Sequence, residues 1–410
     1  MAYCVASFLK NKLMPRSKII TGIDLGTSAI KILSVLKTGN KEGFEVLGLR
    51  QFPSSGIRKG IIIDTQKATN AIFFAVKEME KEIGREIREV SANIGGKHIF
   101  SVSSKGLVSV SRADQKISES DISRVLQNAK TFPLDSNKEI LEIISKEFVV
   151  DAVGGIKDVL HMKGVRLEAE VLAICGFSPY IKNITQCILD AGISQSDLTP
   201  GVIAGSRAVL TTQEKEIGVV FIDIGAETTG IAVYEEGELI HIAVFPVGSD
   251  NIRNDIAICL KVDIDTAERI KQEFGSYEEK SKKDKKIKIE GDEPIVFTEK
   301  SINQIIEARI SEIFDLTNKE LEKISRKGVL PAGAVLSGGG AKLPKVKELA
   351  KKELKISCRI GCVQESFYND DPSLAVVWGL VLNEEDNGNE LSDSSSFKLL
   401  IRKFFRSFIP

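Results

Sequence analysis

The chain has 410 residues, 42% of them hydrophobic and 28% charged, with a formal net charge of −1. Its length exceeds the roughly 250–300 residues that one hydrophobic core serves, so at least two domains are expected. The balanced charge and the lack of a nucleic-acid motif argue for no nucleic-acid partner, and no apolar run approaches the ~20 residues of a membrane-spanning helix.

Residues 1–18 carry an apolar patch without a long apolar core or a small-residue cleavage site, so a signal peptide is not expected, and Met14 is a candidate alternative start. Strands are expected at 19–36 and 44–50. Thr65 is read as the cap of a helix over 66–83, with Ala68, Ile72, Ala75 and Met79 on one face. Another strand follows at 90–94. From about 100 to 171 the texture changes to short strands, one helix at 118–130 and a Gly154-Gly155 turn, which reads as a small α+β unit set into the first domain. The first core then resumes with a strand at 171–177 and a helix at 178–191. In the second half, a strand at 239–244, helices at 249–260 and 266–271, a lysine-rich hydrophilic run at 280–288 and a long helix at 301–324 precede a strand at 334–336. The last core helix is expected at 372–382 and a polar, acidic linker at 383–396.

Two loops share one pattern. Ile23-Asp24-Leu25-Gly26-Thr27-Ser28 and Ile222-Asp223-Ile224-Gly225-Ala226-Glu227-Thr228-Thr229 each join two apolar strands. Glycine lets the backbone approach an anion, Thr and Ser add hydroxyl donors, and an Asp at the strand end can hold a metal through water. One such loop is weak evidence, because a hairpin needs Asp and Gly for its turn alone. Two of them, with a downstream strand running into Gly338-Gly339-Gly340 at an expected helix N-terminus, describe a duplicated phosphate clamp. Asp24 and Asp223 are the candidate magnesium holders. Glu268 and Lys271, one turn apart, are candidates for a ribose and base grip, with an i,i+3 ion pair as the simpler reading. The six cysteines (Cys4, Cys175, Cys187, Cys259, Cys358, Cys362) lack metal-ligand spacing and are read as reduced, cytosolic thiols.

These elements, in this order, resemble the actin/Hsp70/sugar-kinase ATPase superfamily over nearly the whole chain. More narrowly, residues 148–171 resemble the inserted subdomain of the bacterial FtsA cell-division family, and residues 210–218 resemble that family's approach to its second phosphate loop. The resemblance implies an α/β, two-domain duplicated ATPase fold with ATP and Mg²⁺ as cofactors. Residues 18–99 and 172–213 would form the first core and 100–171 an SHS2-type insert. Residues 214–382 would form the second domain, its outer part at about 255–330.

The end of the chain fits the same family. Phe397, Leu400, Ile401, Phe404, Phe405 and Phe408 fall at helical spacing, with Lys398, Arg402, Lys403 and Arg406 on the other face. A helix over 397–409 would be about 20 Å long, too short to span a bilayer but suited to lie on anionic lipid. By resemblance it would tether the protein to the cytoplasmic face of the membrane at the division site. The same resemblance implies actin-like self-assembly, recruitment of the tubulin-like protein FtsZ through its C-terminal peptide, and contact with other division proteins through the insert.

Two departures from the family pattern bear on catalysis. Its second loop usually reads Asp-Ile-Gly-Gly-Gly-Thr-Thr-Asp, whereas Ala226, Glu227 and Gly230 stand at the second Gly, third Gly and final Asp. Glu227 is therefore expected to face the γ-phosphate and repel it. Thr199-Pro200 stands where related ATPases carry Glu-Pro, whose Glu positions the attacking water. Slow or absent hydrolysis is expected. A pilus-assembly module of the PilM type, and less favoured a small-molecule kinase, are the alternatives.

Overall fold

In a computed structural model, residues 18–37, 44–274, 286–289, 295–363 and 371–389 are described. Two five-stranded sheets repeat one topology. In the first, Lys18–Leu25, Ala29–Lys37 and Phe44–Pro53 form an antiparallel meander, and Glu89–Ile94 and Ser194–Pro200 add in parallel beyond Lys18–Leu25. In the second, Val219–Ile224, Thr229–Glu235 and Glu238–Phe245 form the meander, and Gly333–Ser337 and Cys358–Ile360 add in parallel beyond Val219–Ile224. The central strands are nearly continuous buried apolar runs, as strands covered on both faces require.

Between Glu89–Ile94 and Ser194–Pro200 the chain inserts a four-stranded sheet of Phe100–Ser109, Arg166–Phe177, Lys138–Val150 and Val153–Ile156, backed by the helix Glu119–Ala129 with its own buried cluster around Val125, Phe148 and Leu167. The strand Arg166–Phe177 outruns this cluster. Its later residues Leu172 and Ile174 join the core of the first half, which ties the insert to its host.

Two apolar helices link the halves. Gly201–Val209 and Ala375–Asn389 pack against each other so closely that a Cβ on Gly379 would lie 1.8 Å from the Ala204 carbonyl oxygen. Phe221 of the second sheet packs on Gly205, and the Tyr234 hydroxyl meets Ser206 Oγ at 2.7 Å. One buried cluster thus runs from Ile23 and Ile32 of the first sheet through Trp378 to Phe221 and Tyr234 of the second.

Several boundaries differ from expectation. Asp64, not Thr65, caps the helix Thr65–Ile83, its carboxylate accepting from the Lys67 amide at 3.1 Å. The last helix continues past 382 to Asn389, into the expected linker. Asn383 is drawn inward because its amide donates to Asp197 Oδ2 at 2.6 Å and accepts from Arg207. The glycine triplet opens a single 3-10 turn, Gly339–Lys342, and the α-helix that follows starts only at Val346. The strand Ser194–Pro200 and the helices Gly201–Val209 and Thr212–Ile217 carry no clear periodicity in the sequence. The lysine-rich run lies outside the described residues except at Lys286–Ile289, a strand paired with Ile295–Thr298. The tail 397–409 lies outside them entirely.

Because helix–helix contact at Gly379 leaves no room for a methyl group, Gly379→Ala is expected to lower stability by about 1–3 kcal/mol. Thermal unfolding followed by circular dichroism should show a fall of several degrees in Tm.

Candidate functional site

The two Asp-Gly loops face each other. Each is a four-residue hairpin turn closed by the same bond: Gly26 N–H donates to Ala29 O at 3.1 Å, and Gly225 N–H donates to Thr228 O at 2.8 Å. The duplication therefore extends to individual hydrogen bonds. The loops flank a cleft of about 770 Å³ that also receives the Gly338-Gly339 turn and the helices Ser249–Leu260 and Ile264–Phe274. A cleft of that size between domains is in the range of small-molecule and cofactor sites.

Asp24, Gly26, Thr27, Ser28, Asp223, Gly225, Thr228, Glu268, Lys271, Gly338 and Gly339 all line this cleft, as expected from the sequence. Thr229 and Gly340 do not. Thr229 is buried, with its hydroxyl donating to the Val247 carbonyl at 2.8 Å, and Gly340 packs against the Ile224 side chain. Both shape the loops from behind. Gly338 has a strict backbone reason to be glycine: its φ is +81°, and a Cβ there would lie 2.3 Å from Asp223 Oδ1.

The carboxylates differ in state. Asp24 is held at both oxygens: Asn93 Nδ2 donates to Oδ1 at 2.7 Å and Lys31 Nζ to Oδ2 at 3.0 Å. Asn93 Oδ1 also accepts from the Leu25 amide at 2.6 Å, which fixes the first loop to the parallel strand beside it. Each Asp24 oxygen keeps a lone pair beyond these bonds, so the carboxylate, which lines the cleft, fits an acceptor for a metal-bound water. No hydrogen bond reaches Asp223 from the described residues. Burial, and then repulsion from Asp24, push its carboxyl up to about 6, with Lys31 opposing. Burial works against the Lys31 ammonium, but Asp24 beside it, with Asp223 and Asp371 further off, holds its pKa above the ordinary lysine value.

Glu268 and Lys271 show the simpler of the two sequence readings. They form an ion pair at 2.7 Å and together line the cleft, and Glu268 also accepts from Gln272 at 2.8 Å. Burial raises the Glu268 pKa, but Lys271 more than offsets it and leaves it lowered. Arg253, paired with Asp250 at 3.0 Å, lines the same wall.

Glu227 overturns the expectation placed on it. Its carboxylate is turned out of the cleft and accepts from Arg58 Nε at 2.8 Å and from the Lys59 amide at 2.7 Å. A residue expected to repel phosphate instead joins the second loop to the first half of the chain. Thr199 does not line the cleft. Its hydroxyl donates to Asp197 Oδ2 at 2.8 Å, so no carboxylate takes the place of the expected catalytic Glu at that position.

Sequence reasoning missed Lys31, Asn93 and Arg253. Lys31 had a usable signal: closing the first turn at residues 26–29 places it directly opposite Asp24 in the antiparallel pair. Asn93 and Arg253 reach the cleft only through long-range packing.

The fold and cleft define a class of protein with two duplicated α/β halves around a shared site, as in actin-like proteins. Solved structures agree. A chain of the PilM–PilN type IV pilus biogenesis complex superposes with a TM-score of 0.63 at 17% identity, covering 90% of this chain and 99% of that one. MreB5 of Spiroplasma citri bound to ADP gives 0.57 at 13%, covering 93% and 100%. A family model described as cell division protein FtsA matches residues 220–379, and one described as the SHS2 domain inserted in FtsA matches residues 96–175. The cell division protein FtsA of Borreliella burgdorferi is 33% identical over 390 residues, covering 92% of this chain and 94% of its own. That of Pseudomonas aeruginosa is 32% identical over 349 residues, covering 84% and 83%.

This chain belongs to the FtsA family of cell-division proteins. It is an actin-like division protein, and the PilM likeness shows the shared fold alone.

The half-buried Asp223 yields a pH prediction. Its carboxyl is raised in the folded state from 3.8 to about 6, so ionisation disfavours folding by roughly 3 kcal/mol at most. That cost is absent below about pH 4, grows between 4 and 6 and is complete above 6. In nucleotide-free protein, Asp223→Asn should therefore raise Tm by a few degrees at pH 7.5 and leave it unchanged near pH 4. A Tm–pH series on both proteins checks this.

Proposed function

We propose that the chain binds ATP in the cleft as a structural ligand and assembly switch, hydrolyses it slowly or not at all, and links the division ring to the membrane. The observation that carries the nucleotide reading is the pair of loops with matching closing bonds, set across one cleft with Gly338-Gly339. Three backbone-rich turns converge there, and backbone N–H groups cradle anions. Proteins of the same fold bind nucleotide: MreB5 of Spiroplasma citri is seen bound to ADP and to AMPPNP. Positioning of an attacking water is the main tool of phosphoryl transfer, and the position that would supply a carboxylate for it is Thr199, tied to Asp197.

The adaptor reading rests on family membership and on the tail. Residues 397–409 pair an aromatic stripe with four basic residues (Lys398, Arg402, Lys403, Arg406), the pattern of a helix lying on anionic lipid. None of the described helices is long and apolar enough to cross a membrane. The chain then sits at the cytoplasmic face of the membrane at the division site and assembles into actin-like filaments. It recruits FtsZ through its C-terminal peptide, with the outer part of the second half (about 255–330) as the docking region and the insert facing other division proteins.

Sedimentation with vesicles containing anionic lipid tests the tether. The full chain should pellet with them and a form ending at Leu391 should remain in solution; equal binding of the two would overturn the tail assignment. The FtsZ C-terminal peptide should bind either form. Sustained ATP turnover near 1 s⁻¹, low for typical enzymes, would contradict the reading of the cleft as a binding site.

A further inference from the structure

The tip of one short hairpin touches both Asp-Gly loops. Ile57–Arg58 and Ile61–Ile62 pair across a tight turn in which Lys59 and Gly60 have φ of +49° and +72°. Ile57 and Ile62 are buried in the core of the first half, so the hairpin is rooted there. Its tip is seated against the floor of the cleft, where a Cβ on Gly60 would lie 2.6 Å from the Gly96 amide nitrogen. From that seat the Gly60 amide donates to Thr27 Oγ1 of the first loop at 3.2 Å, and the Lys59 amide donates to Glu227 Oε2 of the second loop at 2.7 Å. Arg58 Nε reaches both oxygens of the same carboxylate, at 2.8 and 3.1 Å.

The two ends of this bridge differ. The Thr27 bond stays within the first half, whereas the Glu227 bonds cross from the first half to the second. The Glu227 side chain is only 13% exposed, and a carboxylate accepting from a backbone amide makes a stronger bond than a neutral acceptor does. Arg58, 61% exposed, is the weaker arm. Gly60, Thr27, Gly225 and Thr228 line the cleft, and Glu227 does not. Its carboxylate therefore joins the halves without reaching into the space between them.

We infer that Glu227, with Arg58 and the Lys59 amide, is a clasp across the phosphate end of the cleft, and that a bound nucleoside polyphosphate enters and leaves only when the clasp opens. The inference rests on the nucleotide reading of the cleft and adds what limits exchange. The halves share a core behind the cleft through Gly201–Val209 and Ala375–Asn389, so a separation that admits a ligand falls on the opposite side, where these bonds lie. Glu227 is a positioning residue in this scheme, since it holds the second loop against the first half and touches no phosphate.

Stopped-flow uptake and release of a fluorescent ATP analogue by the full-length protein test the clasp. Glu227→Ala should release the nucleotide about fivefold faster or more, and take it up faster as well, because an open clasp serves both directions. Arg58→Ala, at an exposed position, keeps the amide bond and should quicken both rates about twofold. Glu227→Gln retains an acceptor oxygen and should fall between wild type and Glu227→Ala. Arg58→Ala combined with Glu227→Ala should match Glu227→Ala alone, since Arg58 then has nothing to hold. Unchanged rates in either single alanine variant overturn the clasp. Faster release with unchanged uptake also overturns it, because that is the result for a residue that only shapes the second loop around a bound phosphate. Absence of binding by the wild type overturns the nucleotide reading itself, and the inference with it.

Discussion

The cleft depends on keeping two carboxylates close to one another inside a desolvated space. Duplicated hairpins bring Asp24 and Asp223 to the same site, one from each half. Like charges in such a place cost several kcal/mol unless something opposes them. The chain opposes them unequally. Asp24 is given a cation and an amide, Lys31 and Asn93. Asp223 is left to burial and bears the strain as a raised pKa. An arrangement of this kind is poised to accept a ligand that brings its own charge distribution.

The packing behind the cleft serves the same end. The helices Gly201–Val209 and Ala375–Asn389 join the two sheets through a close contact at Gly379, so the halves share a core. Nearer the mouth, Glu227 reaches Arg58 and the Lys59 amide across the gap. Arg58 is largely exposed, so this pair contributes little to stability. A shared core thus lies behind the cleft and a weak polar link in front of it.

Much of this was legible in the sequence, and what was not has physical causes. The Asp-Gly loops are short-range patterns, and their strand-turn-strand context follows from local apolar runs. The insert was visible as a change of texture, and its helix over 118–130 lies close to the observed Glu119–Ala129. Thr229 and Gly340 were misassigned to the cleft because adjacent residues of a turn or strand point to opposite sides, and a motif does not say which side faces the ligand. Glu227 was misread for the same reason; its partner Arg58 lies 169 positions away. The last helix was stopped too early because Asn383 looks like a linker residue. Only the tertiary network of Asp197, Thr199 and Arg207 makes it a core residue.

Amide hydrogen exchange on the full chain with and without ATP tests the central claim most directly, namely that the two halves form one site. Backbone amides in residues 24–31, 223–230 and 337–343 should be protected together on addition of nucleotide, because all three segments line the same cleft. Protection confined to one half, or none in any of the three, would contradict a duplicated cleft that binds nucleotide as a single unit.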